Sequence, residues 1–236
     1  MATELDVAAL GERFGLPMAA TVQLGELAEL IAIDRGAPTT VRDPRRIVED
    51  HLADSLVALE LDHVPWAAAR IADLGAGAGF PGLPLAIAIP DGRVVLVESN
   101  ARKCEFLHGA VRRLAITNAE VARDRAEQWG EGLAACDVVT ARALASLPVV
   151  AEYAAPLLRI GGALVVWRGR RDAREELMGA VAAAELGLEP LDPVAVTPYP
   201  EVLHRHLHVM LKVAPTPPRF PRRPGVARKH PLGRGL

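Results

Sequence analysis

Apolar residues recur at helical spacing through the first sixty positions and then regroup into short strand-like runs. The first pattern predicts a helix capped by Thr3 and running through Leu10. A second covers about Met18 to Asp34, with Leu24, Leu27, Leu30 and Ile31 on one face, and Gly36 and Pro38 stop it. A third follows Asp43-Pro44, where Asp caps and Pro suits the first helical position, and carries Ile47, Leu52, Leu56 and Leu59. From Ala69 the period shortens. Arg70 to Leu74 reads as a strand ending in glycines, with a helix-compatible segment after Pro84. Val94 to Val97 is strand-like, Ala101 to Leu114 helical, and Ala119 to Ala122 a weak strand. Another strand centres on Val138-Val139, followed by a helix over Leu147 to Leu158. Gly161-Gly162 then turns into a strand at Ala163 to Trp167, and a long helix spans Asp172 to Leu186. Val194 to Val196 and Leu203 to Val213 have no helix between them and predict an antiparallel pair at one side of the sheet.

Strands alternating with helices mean an α/β fold with a mostly parallel sheet. The divisions are an N-terminal helical extension over 1–66, an α/β domain over 67–214 and a basic, proline-rich tail over 215–236. Half the residues are hydrophobic and mean hydropathy is +0.18, which excludes a mainly disordered chain. The most apolar stretch, Ile71 to Pro90, is broken by an acid, glycines and prolines and cannot span a bilayer as a helix. The acidic start Met1-Ala-Thr-Glu-Leu-Asp shows no secretory signal, and Cys104 and Cys136 read as reduced thiols. The net charge of −2 hides an asymmetry. The last 22 residues hold six bases and no acid, leaving 21 bases against 29 acids, or −8, in the rest. Such a tail is either a localised polyanion contact or a solvated end, and its six prolines argue against a helix or central strand.

The strongest local signal is Asp73-Leu-Gly75-Ala-Gly77-Ala-Gly79-Phe80-Pro-Gly82. Alternate glycines after a strand permit tight turns and close approach of a ligand to the main chain. Asp73 leaves the strand just before them, and Glu98 ends the next strand, where a carboxylate can take both hydroxyls of a ribose. Three readings stay open on these residues. The acid-x-Gly-x-Gly-x-Gly register at the strand end suits S-adenosylmethionine. Gly77 to Gly82 also satisfies a dinucleotide fingerprint, displaced from the strand, and a purely structural loop is the third. No Gly-Lys-Ser/Thr phosphate loop is present in the chain.

Taken whole, Asp73-Leu-Gly-Ala-Gly-Ala-Gly-Phe-Pro-Gly-Leu-Pro-Leu85 resembles the cofactor loop of the RsmG/GidB family, bacterial methyltransferases of small-subunit ribosomal RNA. Further resemblances follow in order. They are His51-Leu-Ala-Asp-Ser-Leu56, Glu98 to Leu107, Arg125-Ala-Glu127, Asp137 to Ala143 and Arg205-His-Leu207, then the tail segments Phe220 to Gly225 and Lys229 to Leu232. The chain departs from the family upstream, with Ala32-Ile33 and Ala37-Pro38-Thr39, and carries Trp167-Arg168-Gly169 where Leu-Lys-Gly is common.

The resemblance implies a class I, Rossmann-like methyltransferase that uses S-adenosylmethionine to methylate N7 of a guanine in 16S rRNA. It implies that Gly75 and Phe80 line the donor site, that Ala126 and Glu127 meet adenosine, that Glu98 holds the ribose and that Arg142 contacts the donor. Asp73, Gly77 and Gly79 join this set from the loop pattern. N7 carries a lone pair and no proton, so no catalytic acid or base is expected. Neither an Asn/Asp-Pro-Pro-Tyr clamp nor a Pro-Cys nucleophile is present in the chain. His51 reads as a packing residue, and His204, His206 and His208 lack the acids or thiols of a metal site. Candidate RNA contacts are Arg168, Arg170, Arg222, Arg223, Arg228 and Lys229. The expected partner is 16S rRNA or the small ribosomal subunit, with no metal and no membrane, for a monomer in the cytoplasm.

Overall fold

The computed structural model describes residues 6–235. The expected Thr3 cap lies outside them. Asp6 caps α1 (Val7–Arg13) instead, accepting the Ala9 amide at 2.8 Å. Next comes α2 (Met18–Ile33). Asp43 caps α3 (Pro44–Ile47) through the Arg46 amide, with Pro44 at its first position, as the sequence predicts. The helix does not continue regularly. A π-helical turn over Val48–Ala53 leads into α4 (Asp54–Leu56) and a 3-10 turn over Val57–Glu60.

The sheet begins with β1 (Arg70–Leu74), followed by α5 (Gly82–Ala88), β2 (Arg93–Val97), α6 (Ala101–Arg113) and β3 (Ala119–Ala122). Then come β4 (Cys136–Arg142), α7 (Leu147–Ala154), β5 (Leu158–Arg168) and α8 (Ala173–Leu186). The chain closes with β6 (Leu188–Pro190), β7 (Val194–Ala195), β8 (His206–Lys212) and α9 (Val226–Lys229). The strand order is β3-β2-β1-β4-β5-β8-β6, with β7 on β8. β1 to β5 pair in parallel, while β8 is antiparallel to β5, β6 and β7. The expected β7–β8 pair is present, in register Val194 with Leu207. β6 is the strand that the sequence pattern missed, three residues ending in a proline.

Two further expectations are revised. Gly161-Gly162 is not a turn before β5 but an irregularity inside it, where the register with β4 shifts between Cys136 and Val138. A side chain at Gly162 would stand 2.7 Å from the Asp137 carbonyl, so only glycine lets the backbones approach. And the prolines of the tail do not exclude a helix: α9 fits between Pro224 and Pro231.

Strand residues alternate between two cores. Ile71, Val94, Leu96, Val138, Ala163 and Val165 face α2, the α3–α4 segment, α5 and α6. Ala72, Leu74, Val95, Val97, Val139 and Leu164 face α7, α8 and the tail. Phe220 and Ala227 are buried in this second core, so residues 217–229 act as part of its cover. Arg222 holds the tail down by pairing with Glu152 of α7, which is 1% exposed. Its backbone amide donates to the same carboxylate at 3.2 Å.

Glu152→Ala strands a positive charge whose side chain is only 24% exposed. Stability should fall by about 2–3 kcal/mol, read as a lower urea midpoint with unchanged slope.

Candidate functional site

Strand order reverses between β1 and β4, and at the carboxyl ends of the strands there lies a cavity of about 310 Å³. Gly75 follows β1, Glu98 and Ser99 follow β2, Asp124 follows β3, and Ala143 and Leu144 follow β4. Ala126 and Glu127 form the far wall on a short 3-10 turn. A second cavity, about 550 Å³, opens among Leu133, Pro156, Ile160 and Phe220, and its wall is mainly apolar.

The glycine loop forms because three of its residues need a left-handed backbone: Gly75, Gly77 and Gly79 have φ of 70°, 59° and 93°. At Gly75 a Cβ would meet Leu144 at 2.7 Å, while at Gly77 nothing stands closer than 3.7 Å. Gly79 is close-packed on Leu83 of α5. Asp73 sits underneath, 1% exposed, accepting the Gly82 amide at 2.9 Å and the Thr140 hydroxyl at 3.0 Å. Burial raises its carboxyl to about 6, against the lowering effect of those two bonds. Asp73 therefore braces the loop from below rather than lining the cavity, a correction to its expected place beside a ligand.

Glu98 is on the wall. Its Oε1 accepts the Asn100 amide at 2.8 Å and its Oε2 the Gly77 amide at 3.1 Å. Each oxygen keeps a lone pair for a further donor. Of the expected cofactor set, Gly75, Glu98, Ala126 and Glu127 share the cavity. Gly77 and Gly79 shape it, and Phe80 and Arg142 stand outside its lining.

Those last two belong to a neighbouring cluster. Phe80 stacks on His51 with ring centroids 4.4 Å apart, and the Arg142 guanidinium lies 5.5 Å from the Phe80 centroid. Arg142 donates to Asp54 at 2.9 Å and to the Asp50 carbonyl at 2.9 Å. Asp54, fully buried, also pairs with Arg205 at 2.6 Å, and its carbonyl accepts the Trp167 indole at 2.6 Å. The π-helical turn is what brings Asp50 and His51 to the end of β4. His51 bonds Thr39 at 3.0 Å, and burial, then the Arg142 charge, lowers its pKa to about 4. It is a neutral, hydrogen-bonded packing group, as its sequence context suggests.

The expected RNA contacts divide. Arg170, Arg223 and Lys229 are exposed. Arg168 instead bonds Glu175 and the Ala145 carbonyl, both at 2.7 Å, and Arg222 is taken by Glu152. Arg228 lines the cavity and donates to the Leu144 carbonyl at 3.1 Å. Arg168 and Arg222 are corrected, because local carboxylates claim their donors, while Arg228 is exposed and spends one donor on a carbonyl. Ser99, Asp124, Ala143 and Leu144 could have been found by their places just past strand ends. Tyr153 and Arg228 had no such signal. Ala143 holds φ of 54° on the cavity wall. Among the described residues no group of three His, Cys, Asp or Glu is placed to hold a metal, and no helix is long and apolar enough to cross a membrane.

A family model described as GidB, rRNA small subunit methyltransferase G, matches residues 35–215. The chain belongs to this family. A ribosomal RNA small subunit methyltransferase G of Chloroflexus aggregans is 43% identical over 206 residues, covering 84% of each chain. That of Rubrobacter xylanophilus is 39% identical over 219 residues, 90% of this chain and 84% of the relative. Among solved structures, an S-adenosylmethionine-dependent methyltransferase from Aquifex aeolicus matches with TM-score 0.57 at 14% identity, over 80% of this chain and 98% of its own. A geranyl diphosphate C-methyltransferase from Streptomyces coelicolor, solved with S-adenosyl-L-homocysteine, matches with TM-score 0.55 at 13% identity, over 81% and 98%. Like other GidB members, the chain is thus an S-adenosylmethionine-dependent methyltransferase of Rossmann-like fold. The observed cavity suits that donor: buried Glu98 has free lone pairs for a ribose, and the small residues Gly75 and Ala126 leave room beside it.

A bulky residue at Gly77 would adopt a strained φ and fill the open approach to Glu98, so calorimetry should show no S-adenosylmethionine binding. Glu98→Ala should weaken binding by about 1–3 kcal/mol. Unchanged affinity in both folded variants would remove the donor from this cavity.

The site also predicts a pH dependence of stability. His51 has a folded pKa of about 4 against 6.5 when free. The folded state binds fewer protons, so its contribution is complete above about pH 6.5 and lost as pH falls toward 4. Asp73, raised to about 6 from 3.8, acts oppositely, losing stability as pH rises through that interval. His51→Gln should therefore remove up to about 3 kcal/mol of acid-side loss, seen in urea midpoints between pH 4 and 7.

Proposed function

We propose that this chain transfers a methyl group from S-adenosylmethionine to N7 of a guanine in 16S rRNA. The reading is carried by Glu98 standing in the switch-point cavity of a chain that belongs to an rRNA methyltransferase family. When bound, the donor supplies an electrophilic methyl on a sulfonium. Of the residues that line the cavity, Glu98 would hold the ribose hydroxyls, Ala126 and Glu127 would meet the adenine, and Gly75 would leave room for the methionine against the backbone.

Phe80 and Arg142 then border the end where the acceptor arrives. Arg142 is fixed by Asp54 and the Asp50 carbonyl before any ligand binds, so little ordering remains when the base docks. Guanine N7 attacks the methyl carbon through its in-plane lone pair as the sulfur–methyl bond breaks and its electrons return to sulfur. S-adenosylhomocysteine leaves, and no residue has to remove a proton. The neutral His51 ring, already bonded to Thr39, fits a site without a general base. Arg170, Arg223 and Lys229 remain as exposed cations for rRNA phosphates. An rRNA acceptor implies an enzyme of the cytoplasm, and we take it to act as a monomer.

The decisive experiment offers radiolabelled donor with naked rRNA, small subunits and total protein as competing acceptors. Label in 16S rRNA, identified as 7-methylguanosine by mass spectrometry, is the expected result. Label in protein or on another base position would overturn the assignment. The single-turnover rate should also be nearly flat between about pH 6.5 and 8.5. A steep rise across that range would indicate an amine or hydroxyl acceptor.

A further inference from the structure

We propose that Arg228, carried by the C-terminal tail, is a donor-binding residue that covers the adenine end of S-adenosylmethionine. The proposal rests on the donor site described above and concerns a segment beyond the residues matched by the family model, which end at 215.

Three observations converge on it. The tail is fastened to the domain at separate points: Phe220 and Ala227 are buried in the second core, and Arg222 is paired with the buried Glu152. That fastening delivers α9 to the rim of the donor cavity, whose lining Arg228 shares with Ala126, Glu127, Leu144 and Tyr153. Finally, Arg228 is oriented there. One nitrogen donates to the Leu144 carbonyl at 3.1 Å, the guanidinium lies beside the Tyr153 hydroxyl, and its other donors are left for a ligand of the cavity it lines.

Position within the cavity selects the part of the donor. Glu98 at the end of β2 takes the ribose, and the methionine runs toward the glycine loop after β1. Adenine is left with the segment after β3, and Arg228 borders it through Tyr153, whose hydroxyl is influenced by both Arg228 and Glu127. A guanidinium stacks on a purine face more effectively than an ammonium does, and the α7 hydroxyl of Tyr153, buried and without a well-formed hydrogen bond, belongs to the same cavity. The basic tail thereby has a role distinct from gripping RNA: it completes the donor pocket.

The test is calorimetry of the full chain with S-adenosylmethionine and, separately, adenosine. Arg228→Ala should weaken both by the same factor, about five- to thirty-fold. Arg219→Ala, a change at an exposed tail arginine paired with Glu185, should alter neither. In the unmutated protein the donor should slow tryptic cleavage after Arg228 and Lys229, because ligand and tail stabilise each other. Unchanged affinity in folded Arg228→Ala, with no protection of the tail, would overturn the proposal while leaving the donor site intact. A loss confined to the methionine-bearing ligand would overturn the adenine placement. Failure of the unmutated protein to bind S-adenosylmethionine would instead overturn the donor-site reading itself.

Discussion

A single buried carboxylate ties the N-terminal helices to the reaction edge of the sheet. Asp54 has no exposed surface, yet it faces two arginines from different parts of the chain, Arg142 at the end of β4 and Arg205 just before β8. Its carbonyl takes the Trp167 indole from β5. A buried acid so placed is tolerable only while it is paired, and here two cations share that task. The consequence is geometric. Three strand ends and the helical segment before β1 are held in one arrangement, and Phe80 and His51 stack within it.

The donor cavity depends on a second set of constraints with the same logic. Asp73, buried beneath the glycine loop, accepts from Gly82 and Thr140, so the end of the loop is tied to β4 as well as to β1. Glu98 holds the Gly77 and Asn100 amides, fixing the loop to the start of α6. The two carboxylates divide the work that one sequence motif suggested for both. One is enclosed and shapes the backbone, while the other keeps an open side toward the cavity.

Charge count misjudges the tail for a related reason. Six bases without an acid look like a polyanion grip, but the acids that answer them lie elsewhere in the chain. Glu152 claims Arg222 and Glu185 pairs with Arg219, while Leu144 offers a carbonyl to Arg228. Of the tail's bases only Arg222 is drawn below the surface; Arg223 and Lys229 in the tail and Arg170 after β5 are exposed and are held by no carboxylate among the described residues.

Much of the fold was legible because it depends on local periodicity. A central parallel strand buried on both faces leaves a continuous apolar run, as at Arg70–Leu74, and the half-exposed edge strand Ala119–Ala122 also falls where the pattern puts it. The loop from Gly75 to Gly79 was legible because left-handed backbone demands glycine, and Glu98 because a strand end is a fixed position. By contrast, the π-helical turn at Val48–Ala53 has the same apolar spacing as an ordinary helix, and β6 is too short to show a period. The sequence by itself determined the α/β alternation, the glycine loop and the acid on the cavity wall. Only the tertiary structure decided which charged groups are free. Ion pairs such as Arg142 with Asp54 and Arg222 with Glu152 join residues far apart in the chain, and their energy depends on burial that no local pattern records.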